Sequence, residues 1–366
     1  MGLDPGMSHR WAIWGLLCLM GCQQVGAEDT AVSALDLLAL NPTELGPFAV
    51  GHRVWETTYT LVTGETRTIP VNAWYPTEDR TGDAVLYIGL DPDESVLGNA
   101  TPTPHPTGQY PLHVHSHGHQ GYGGTSADLM RWYASHGWLA LAPDHVDDRL
   151  LLDDPAEEPV GFHASRALDI SKAVDSLRDL PSEDPLAGLT DTATYVLSGH
   201  SRGVRTTWTV LGATPDPNGV DHYCAGCSPE QLAQFSDGSL IDPRANVGIP
   251  MAGTASQSWF GDDGHRTVTA PVLSMTGSND PVGQEDQWDR IDGIDFRWLD
   301  IEGGCHQTFA LGVCDTLSTE EGYWIVNSYA LTMGRVFLLG DDQASSVDLL
   351  NAPAALDPRA QLHVSP

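Results

Sequence analysis

Short apolar segments alternate with segments of helical periodicity from about residue 110 to residue 340. Apolar strands are predicted at 112–116, 138–142, 194–197, 246–251, 271–275 and 296–301. Apolar residues at helical spacing predict helices at 126–136, 162–180, 202–211 and 319–339. Strands that alternate with helices favour a mostly parallel central sheet with helices on both faces, so the predicted fold class is α/β.

Two strands are predicted before this region, at 48–61 and 66–75. The second partly alternates, and Pro70 favours an edge position because proline has no N–H to donate within a sheet. Residues 91–109 are rich in Asp, Pro, Thr and Gly and predict a surface loop. Residues 213–242 interrupt the strand–helix alternation with prolines, a Cys-x-x-Cys pair and a short helix. We expect an insertion above the sheet edge there. It would be either a lid or a purely structural segment held in place by a disulfide.

The first residues have the pattern of an export signal. A short basic start at Met7–Arg10 precedes an apolar run, 11–20, that is too short to span a bilayer. The run ends in Leu19-Met20-Gly21-Cys22, which resembles the bacterial lipobox. That resemblance implies cleavage before Cys22 and a lipid on its thiol, with the polar stretch after it acting as a tether. A plain secretory signal is the alternative.

The charge balance excludes one class of partner. The chain has 49 acidic and 17 basic residues, for a net charge of −32. Such a charge repels nucleic acid and anionic membrane faces, and no basic run offsets it. We therefore expect no nucleic-acid partner, and contact with a membrane only through a lipid anchor.

Six cysteines divide between the signal and the main domain. Cys18 would leave with the signal and Cys22 would carry the lipid. The four that remain are Cys224, Cys227, Cys305 and Cys314. An even number in an oxidising compartment predicts disulfides, and of the three possible pairings we favour the local one, which closes the shortest loops. A redox or zinc role for the Cys-x-x-Cys is the alternative.

The run Gly199-His200-Ser201-Arg202-Gly203 is the first candidate for chemistry. A Gly-x-Ser-x-Gly motif alone is weak, but this one follows a predicted strand and precedes a predicted helix. That is the setting of a nucleophile elbow, in which a sharp turn lifts the serine hydroxyl out of the sheet. The helix N-terminus behind Ser201 would favour developing negative charge. Ser201 is therefore the predicted nucleophile.

A nucleophilic serine needs a base, and the base needs a carboxylate to orient it. When the serine lies on a nucleophile elbow, the acid and then the histidine follow it along the chain. The best acid after Ser201 is Asp280, just past the predicted strand 271–275. The best histidine is His306, on a glycine-containing loop after the last parallel strand. The rival acids are Asp262, Asp263 and Asp300, and the rival histidines are His200, His222 and His265.

Two backbone amides would have to bind an oxyanion. One is that of Arg202, the residue after the nucleophile, and the other belongs to the loop within 115–121. The alternating His113, His115 and His117 share one strand face, but their spacing spreads them too far for one tetrahedral zinc ion. We expect them to be polar packing beneath the site, with no metal and no cofactor.

Three segments resemble one branch of the α/β-hydrolases: His115–Gly118, Tyr133–His145 and Gly199–Gly203. Over residues 65–340, the chain is similar to bacterial dienelactone-hydrolase-like proteins and platelet-activating-factor acetylhydrolases, and to their lipase-like and polyester-hydrolase-like relatives. The resemblance implies the α/β-hydrolase fold. It also implies a triad of Ser201, Asp280 and His306, and a second oxyanion amide at His119.

Two differences from the pattern of this family narrow the range of expected reactions. Dienelactone hydrolases use a cysteine nucleophile, so Ser201 argues against that reaction. The residue after the nucleophile is usually uncharged, whereas here it is Arg202, whose side chain could pair with an acid or receive an anionic acyl group. The sequence therefore predicts a serine esterase that cleaves carboxylic esters. Its substrate would be a small ester, a short-acyl phospholipid or a polyester.

The predicted organisation has four parts. They are a lipoprotein signal peptide at 1–22, a tether at 23–47, an α/β-hydrolase domain at 48–345 that includes the insertion 213–242, and a C-terminal tail at 346–366. The expected location is the cell envelope, through a lipid anchor, or secretion. A non-catalytic surface lipoprotein that keeps the fold for binding is the rival function.

Overall fold

The computed structural model describes residues 36–105, 108–150, 161–282, 288–352 and 356–365. The predicted signal peptide, Cys22 and the tether as far as residue 35 lie outside these ranges. Within them, no helix is both long enough and apolar enough to cross a membrane.

One sheet of eleven strands runs through the described residues, in the order β11-β10-β9-β8-β7-β5-β6-β2-β1-β4-β3. The strands are β1 (Ala49–Thr60), β2 (Thr66–Thr77), β3 (Ala84–Tyr87), β4 (Asp91–Gly98), β5 (Tyr110–Ser116), β6 (Leu139–Pro143), β7 (Thr190–His200), β8 (Ala245–Met251), β9 (Val272–Gly277), β10 (Phe296–Ile301) and β11 (Ala360–Val364). The six strands from β10 to β6 are parallel to one another, whereas β2 and β11 pair antiparallel on either side of them. A mostly parallel central sheet is what the sequence predicts.

Helices cover both faces of this sheet. They are α1 (Ala127–Ser135), α2 (Phe162–Arg178), α3 (Arg202–Val210), α4 (Pro217–Tyr223), α5 (Pro229–Gln234), α6 (Gln257–Phe260), α7 (Thr319–Leu339) and α8 (Ala344–Leu349). The apolar sides of α2 and α3 form one core with the sheet, and those of α1 and α7 form the other. Helix α7 begins after Ser318, whose hydroxyl accepts from the amide of Glu321, and ends at Gly340 in a left-handed conformation.

The prediction that Pro70 marks an edge strand is wrong. β2 lies between β1 and β6, and Pro70 is paired with Glu56 of β1. The carbonyl of Pro70 accepts from Asp144, beyond the last β6 residue, so its nitrogen also faces the end of the β6 ladder. Because pairing with β6 begins only at Val71, the missing N–H removes no ladder hydrogen bond.

The segment 91–109 also differs from its prediction as a loop. Asp91–Gly98 forms β4, which pairs with β3 and, over two residues, with β1. Its burial alternates weakly and only Val96 is fully buried, as suits a strand near the outer edge of the sheet. A strand exposed on most of its length has too few apolar residues to show in the hydrophobic pattern.

The folded part extends beyond the predicted domain boundaries at both ends. On the N-terminal side, Trp324 Nε1 donates to the carbonyl of Thr43 over 2.9 Å, and His136 Nε2 donates to that of Glu44 over 2.8 Å. These contacts fasten the end of the predicted tether to α7 and to the residue after α1. On the C-terminal side, the predicted tail contains α8 and β11, and β11 completes the sheet beside β10.

The insertion 213–242 contains α4, α5 and the disulfide between Cys224 and Cys227. Val220 and Phe235 are buried in the core on the α2 and α3 side, and the Phe235 ring meets Trp259 of α6 edge-on at 5.2 Å. The insertion is thus anchored to the domain by apolar packing. A role as a lid stays a prediction.

Candidate active site

Ser201 occupies a strained turn between β7 and α3. Its backbone has φ 53° and ψ −112°, a conformation that a non-glycine residue adopts only when its surroundings enforce it. A Cβ on Gly203 would lie 2.0 Å from the carbonyl oxygen of Ser116, and a Cβ on Gly199 would lie 2.3 Å from that of Gly203. Both positions therefore require glycine, and the predicted strand–turn–helix geometry of the motif is present.

The structure brings Ser201, His306 and Asp280 into one hydrogen-bonded chain. Ser201 Oγ lies 2.9 Å from His306 Nε2, and His306 Nδ1 lies 2.9 Å from Asp280 Oδ2. The three residues follow β7, β10 and β9 at the carboxyl ends of these parallel strands, the edge where such sheets place functional groups. The fold thus brings Ser201 and His306, which are 105 positions apart in the sequence, within hydrogen-bond distance.

The surroundings of the pair fix the direction of each hydrogen bond. The Asp280 side chain is fully buried, and its Oδ1 also accepts from the amide of Val282 over 3.3 Å. A carboxylate can only accept, so Nδ1 of His306 carries a proton and donates it. Nε2 of the neutral ring is then an acceptor aimed at the Ser201 hydroxyl. About a third of the His306 side chain is exposed, so the imidazole is open to a ligand.

The loop that carries His306 is held at two points. A disulfide joins Cys305 to Cys314, and the structure also contains the predicted Cys224–Cys227 bridge. The second point is His200, whose Nε2 donates to the backbone carbonyl of His306 over 2.9 Å. This role of His200 is not predictable from the Gly-x-Ser-x-Gly motif, because the motif does not show which loop the ring will contact.

The rival acids and histidines lie in other environments. Asp263 is paired with Arg266 on the surface. His265 is buried, and its Nε2 lies 3.2 Å from the carbonyl oxygen of Asp292. Asp300 lies within β10, paired in the sheet with Thr276 of β9 and Gln361 of β11, and not at the end of a strand.

The two predicted oxyanion residues follow adjacent strands. β5 and β7 are paired up to Ser116 and Gly199, and the chain reaches His119 and Arg202 three residues further along each. The loop after β5 passes close to the nucleophile, since a Cβ on Gly118 would lie 3.2 Å from Ser201 Cβ. Among the described residues, none accepts a hydrogen bond from the His119 amide.

The Arg202 side chain points toward a carboxylate. Its Nε lies 3.7 Å from Asp148 Oδ2, and its guanidinium lies over the Phe162 ring, 5.2 Å from the centroid. Of the two roles predicted for this side chain, pairing with an acid is therefore the one that the geometry displays.

The histidines of β5 are packed and hydrogen-bonded. Ser198 Oγ lies 2.8 Å from both His113 Nε2 and His115 Nδ1. His117 Nδ1 donates to the carbonyl of Gly118 over 2.8 Å, and its Nε2 accepts from the amide of His145. Burial lowers the pKa of His113 to about 3, so this ring is neutral. No group of three potential ligands in the described ranges is arranged to hold a metal ion.

A second serine, histidine and aspartate are hydrogen-bonded beneath the site. His145 Nε2 lies 2.9 Å from Ser116 Oγ, and His145 Nδ1 lies 2.9 Å from Asp169 Oδ2. All three are completely buried, and Asp169 also accepts two hydrogen bonds from Arg67. Because no substrate can reach Ser116, this arrangement connects β5, β6 and α2 and is structural.

Comparison with known proteins supports the assignment of the fold. No family model and no curated protein matches the chain. The structure of a ferulic acid esterase from Streptomyces cinnamoneus is similar to it, with a TM-score of 0.61 and 19% sequence identity, over 90% of this chain and 99% of that chain. At this identity the likeness shows the fold alone. Together with the strand order, it confirms that the chain has the α/β-hydrolase fold.

Proposed function

We propose that this chain, which has the α/β-hydrolase fold, is a serine hydrolase that cleaves carboxylic esters. The observation that carries the proposal is the chain of hydrogen bonds from Ser201 through His306 to Asp280, with 2.9 Å at each step. A nucleophile, a base and an orienting carboxylate in this order are the arrangement that activates a serine hydroxyl. The similar ferulic acid esterase adds support for an ester as the substrate.

In the proposed reaction, Ser201 Oγ attacks the acyl carbonyl while its proton passes to His306 Nε2. Asp280 holds the ring in the required tautomer and stabilises the imidazolium. The amides of His119 and Arg202 donate to the oxyanion of the tetrahedral intermediate, and each such donor contributes about 3 kcal/mol. The intermediate collapses to an acyl-enzyme as His306 gives its proton to the departing alcohol. Water, activated by the same ring, then releases the acid.

A fluorophosphonate probe tests the proposal directly, because it reacts only with an activated serine. We expect wild-type protein to be labelled and to hydrolyse short-acyl nitrophenyl esters, and Ser201→Ala to do neither. Ser236→Ala, at an exposed serine of the insertion, is the matched control and should behave as wild type. An unlabelled wild type, or equal labelling of Ser201→Ala, would contradict the proposal and favour a non-catalytic lipoprotein that keeps the fold for binding.

The substrate class is a separate question within this proposal. The candidates are small carboxylic esters, short-acyl phospholipids and polyesters, and the similar esterase adds feruloyl esters. A panel with one member of each class, compared by kcat/KM for the soluble esters and by product release for a polymer film, distinguishes them. The Arg202 hypothesis belongs to the same panel. Arg202→Gln should change the ratio of activity on anionic and neutral esters if this side chain receives an acyl carboxylate.

We also propose that the protein is exported and anchored to the cell envelope by a lipid on Cys22. The support is the lipobox-like run that ends at Cys22, behind a short basic start and an apolar segment. In a bacterial host, the wild type should incorporate labelled palmitate and partition into detergent, whereas Cys22→Ala should do neither. Equal incorporation by the two proteins would contradict the anchor.

A further inference from the structure

Asp148 lies in the loop after β6 and is almost completely buried. Both of its carboxylate oxygens make hydrogen bonds. Oδ1 accepts from the amide of Gln120 over 3.0 Å and from Nδ1 of His119 over 2.6 Å. Oδ2 accepts from Nη1 of Arg166 over 2.9 Å, and Nε of Arg202 lies 3.7 Å from it. One carboxylate thus contacts both residues whose amides would form the oxyanion hole.

The two hydrogen bonds that Oδ1 accepts hold the part of the loop that contains the His119 amide. Gln120 has φ 52°, an unfavourable conformation for a residue with a side chain. The hydrogen bond from the Gln120 amide to Asp148 holds this conformation, and the bond from the His119 ring fixes the preceding residue. The short turn closes where the amide of Gly121 donates to the carbonyl of Gly118 over 3.2 Å. The His119 amide is therefore oriented by groups on both sides of it.

Arg166 balances the charge of this carboxylate. Its side chain is buried, and besides Asp148 it donates to the carbonyl of His117 and to Ser116 Oγ, the latter over 3.2 Å. An unbalanced carboxylate beside the oxyanion hole would repel the negative charge that develops there. The ion pair with Arg166 lets Asp148 act as a rigid acceptor without this cost, and it ties the end of β5 to α2.

We propose that Asp148 is a positioning residue that fixes the geometry of the oxyanion hole. This inference rests on the proposed ester hydrolysis at Ser201. Asp148 does not touch the reacting atoms; it sets where the His119 amide points and restrains Arg202 at the start of α3. Hydrogen-bond donors that are slightly misplaced stabilise the transition state poorly while substrate binding changes little.

The test compares Asp148→Asn with wild type after active-site titration, so that misfolded protein is not counted. We expect kcat to fall by about 10-fold to 100-fold with KM changed less than about threefold. The affinity for a trifluoromethyl ketone, whose adduct with Ser201 carries an oxyanion, should fall by the same factor as kcat/KM.

Two further variants make the result specific. Asp147→Asn removes the adjacent carboxylate, whose ion pair is with Arg67, and should keep wild-type kcat. His119→Ala removes only the ring bond to Asp148 and keeps the His119 amide. It should fold normally and show a smaller, parallel loss in kcat and ketone affinity.

The outcomes separate this inference from the proposed function. Wild-type values of titrated kcat and ketone affinity in both Asp148→Asn and His119→Ala would overturn the positioning role, even if the melting temperature fell. If wild-type protein itself failed to react with the fluorophosphonate probe, the proposed function would fail instead.

Discussion

Nε2 of His200 donates to the backbone carbonyl of His306 over 2.9 Å, so the residue before the nucleophile supports the residue that activates it. His200 is buried, and burial lowers its pKa to about 4. Its ring therefore stays neutral above that pH and keeps Nε2 as the donor. The nucleophile turn and the histidine loop, which are 105 residues apart in the sequence, are coupled through this bond as well as through Ser201.

Replacing His200 should impair the alignment of His306. We expect His200→Phe, which keeps a ring but loses the donor, to lower kcat by about 10-fold, and His200→Gln, which can still donate, to lose less. Steady-state kinetics with active-site titration measures both. A kcat for His200→Phe within twofold of the wild type would show that the bond is dispensable.

The buried Ser116 should not react, although it is hydrogen-bonded to His145 in the same way as Ser201 is to His306. A nucleophile without solvent access cannot meet a probe. Mass spectrometry of fluorophosphonate-treated protein should find the adduct on Ser201 alone. Ser201→Ala provides the control, because it retains the complete Ser116, His145 and Asp169 arrangement. Any adduct on Ser116 would contradict its structural role.

Removal of the Cys305–Cys314 disulfide should affect activity more than removal of the Cys224–Cys227 disulfide. The first closes the loop that carries His306, and constraining a loop of this size contributes about 3 kcal/mol to stability. We expect the double serine variant at 305 and 314 to lower both the melting temperature and kcat. The matched double variant at 224 and 227 should lower the melting temperature only. Equal loss of kcat in both would mean that the disulfide does not position His306.

Gly203 should tolerate no side chain. A Cβ there would lie 2.0 Å from the carbonyl oxygen of Ser116, and two rigid backbone segments would have to separate. We expect Gly203→Ala to lose at least about 3 kcal/mol of stability, measured by urea unfolding. Gly108→Ala is the control, since a Cβ there meets nothing within 4 Å. Similar unfolding midpoints for the two variants would contradict this reading of the elbow.

Stability should fall as the pH is lowered from 6.5 toward 4. Burial lowers the pKa of four histidines to between about 3 and about 4: His52, His113, His136 and His200. Below pH 6.5 the unfolded chain binds protons at these positions and the folded chain does not. Each histidine then removes about 1.4 kcal/mol per pH unit from the free energy of unfolding. The burial-raised pKa values of Asp144 and Asp169 act in the opposite direction.

Urea unfolding at pH 7.5, 6 and 5 measures this dependence. The free energy of unfolding should change most steeply with pH between pH 6 and pH 5. The change should become smaller as the pH approaches the pKa of the histidines in the folded protein. His113→Phe, which removes one of these buried histidines, should reduce the slope. A free energy of unfolding that does not change over this range would contradict neutral buried histidines.

The parts of the fold that are buried on both sides were predictable from the sequence. The strand 296–301 and the helix 319–339 have the predicted bounds, because continuous apolar runs and helical spacing report burial directly. The order of Ser201, Asp280 and His306 was implied by the family resemblance, and their common location follows from the sheet. In a parallel sheet, residues that follow the strands must all meet at one edge.

The remaining features depend on long-range contacts that no local pattern records. β4 has a single fully buried side chain and β11 is a five-residue edge strand, so their sequences look like loop and tail. The hydrogen-bond partners of His200 and Asp148 come from loops distant in the sequence, and no sequence motif identifies these partners. Pro70 does not mark an edge strand, because the effect of a proline within a sheet depends on which neighbouring strand its nitrogen faces.

β11 has a consequence for how the molecule behaves when the chain is cut. It pairs with β10 from Arg297 to Ile301, and without it β10 would present an open edge of hydrogen-bonding groups. Proteolysis before Ala360 would expose that edge without touching Ser201, Asp280 or His306. We therefore expect such a truncated protein to self-associate while its remaining soluble molecules still react with the fluorophosphonate probe.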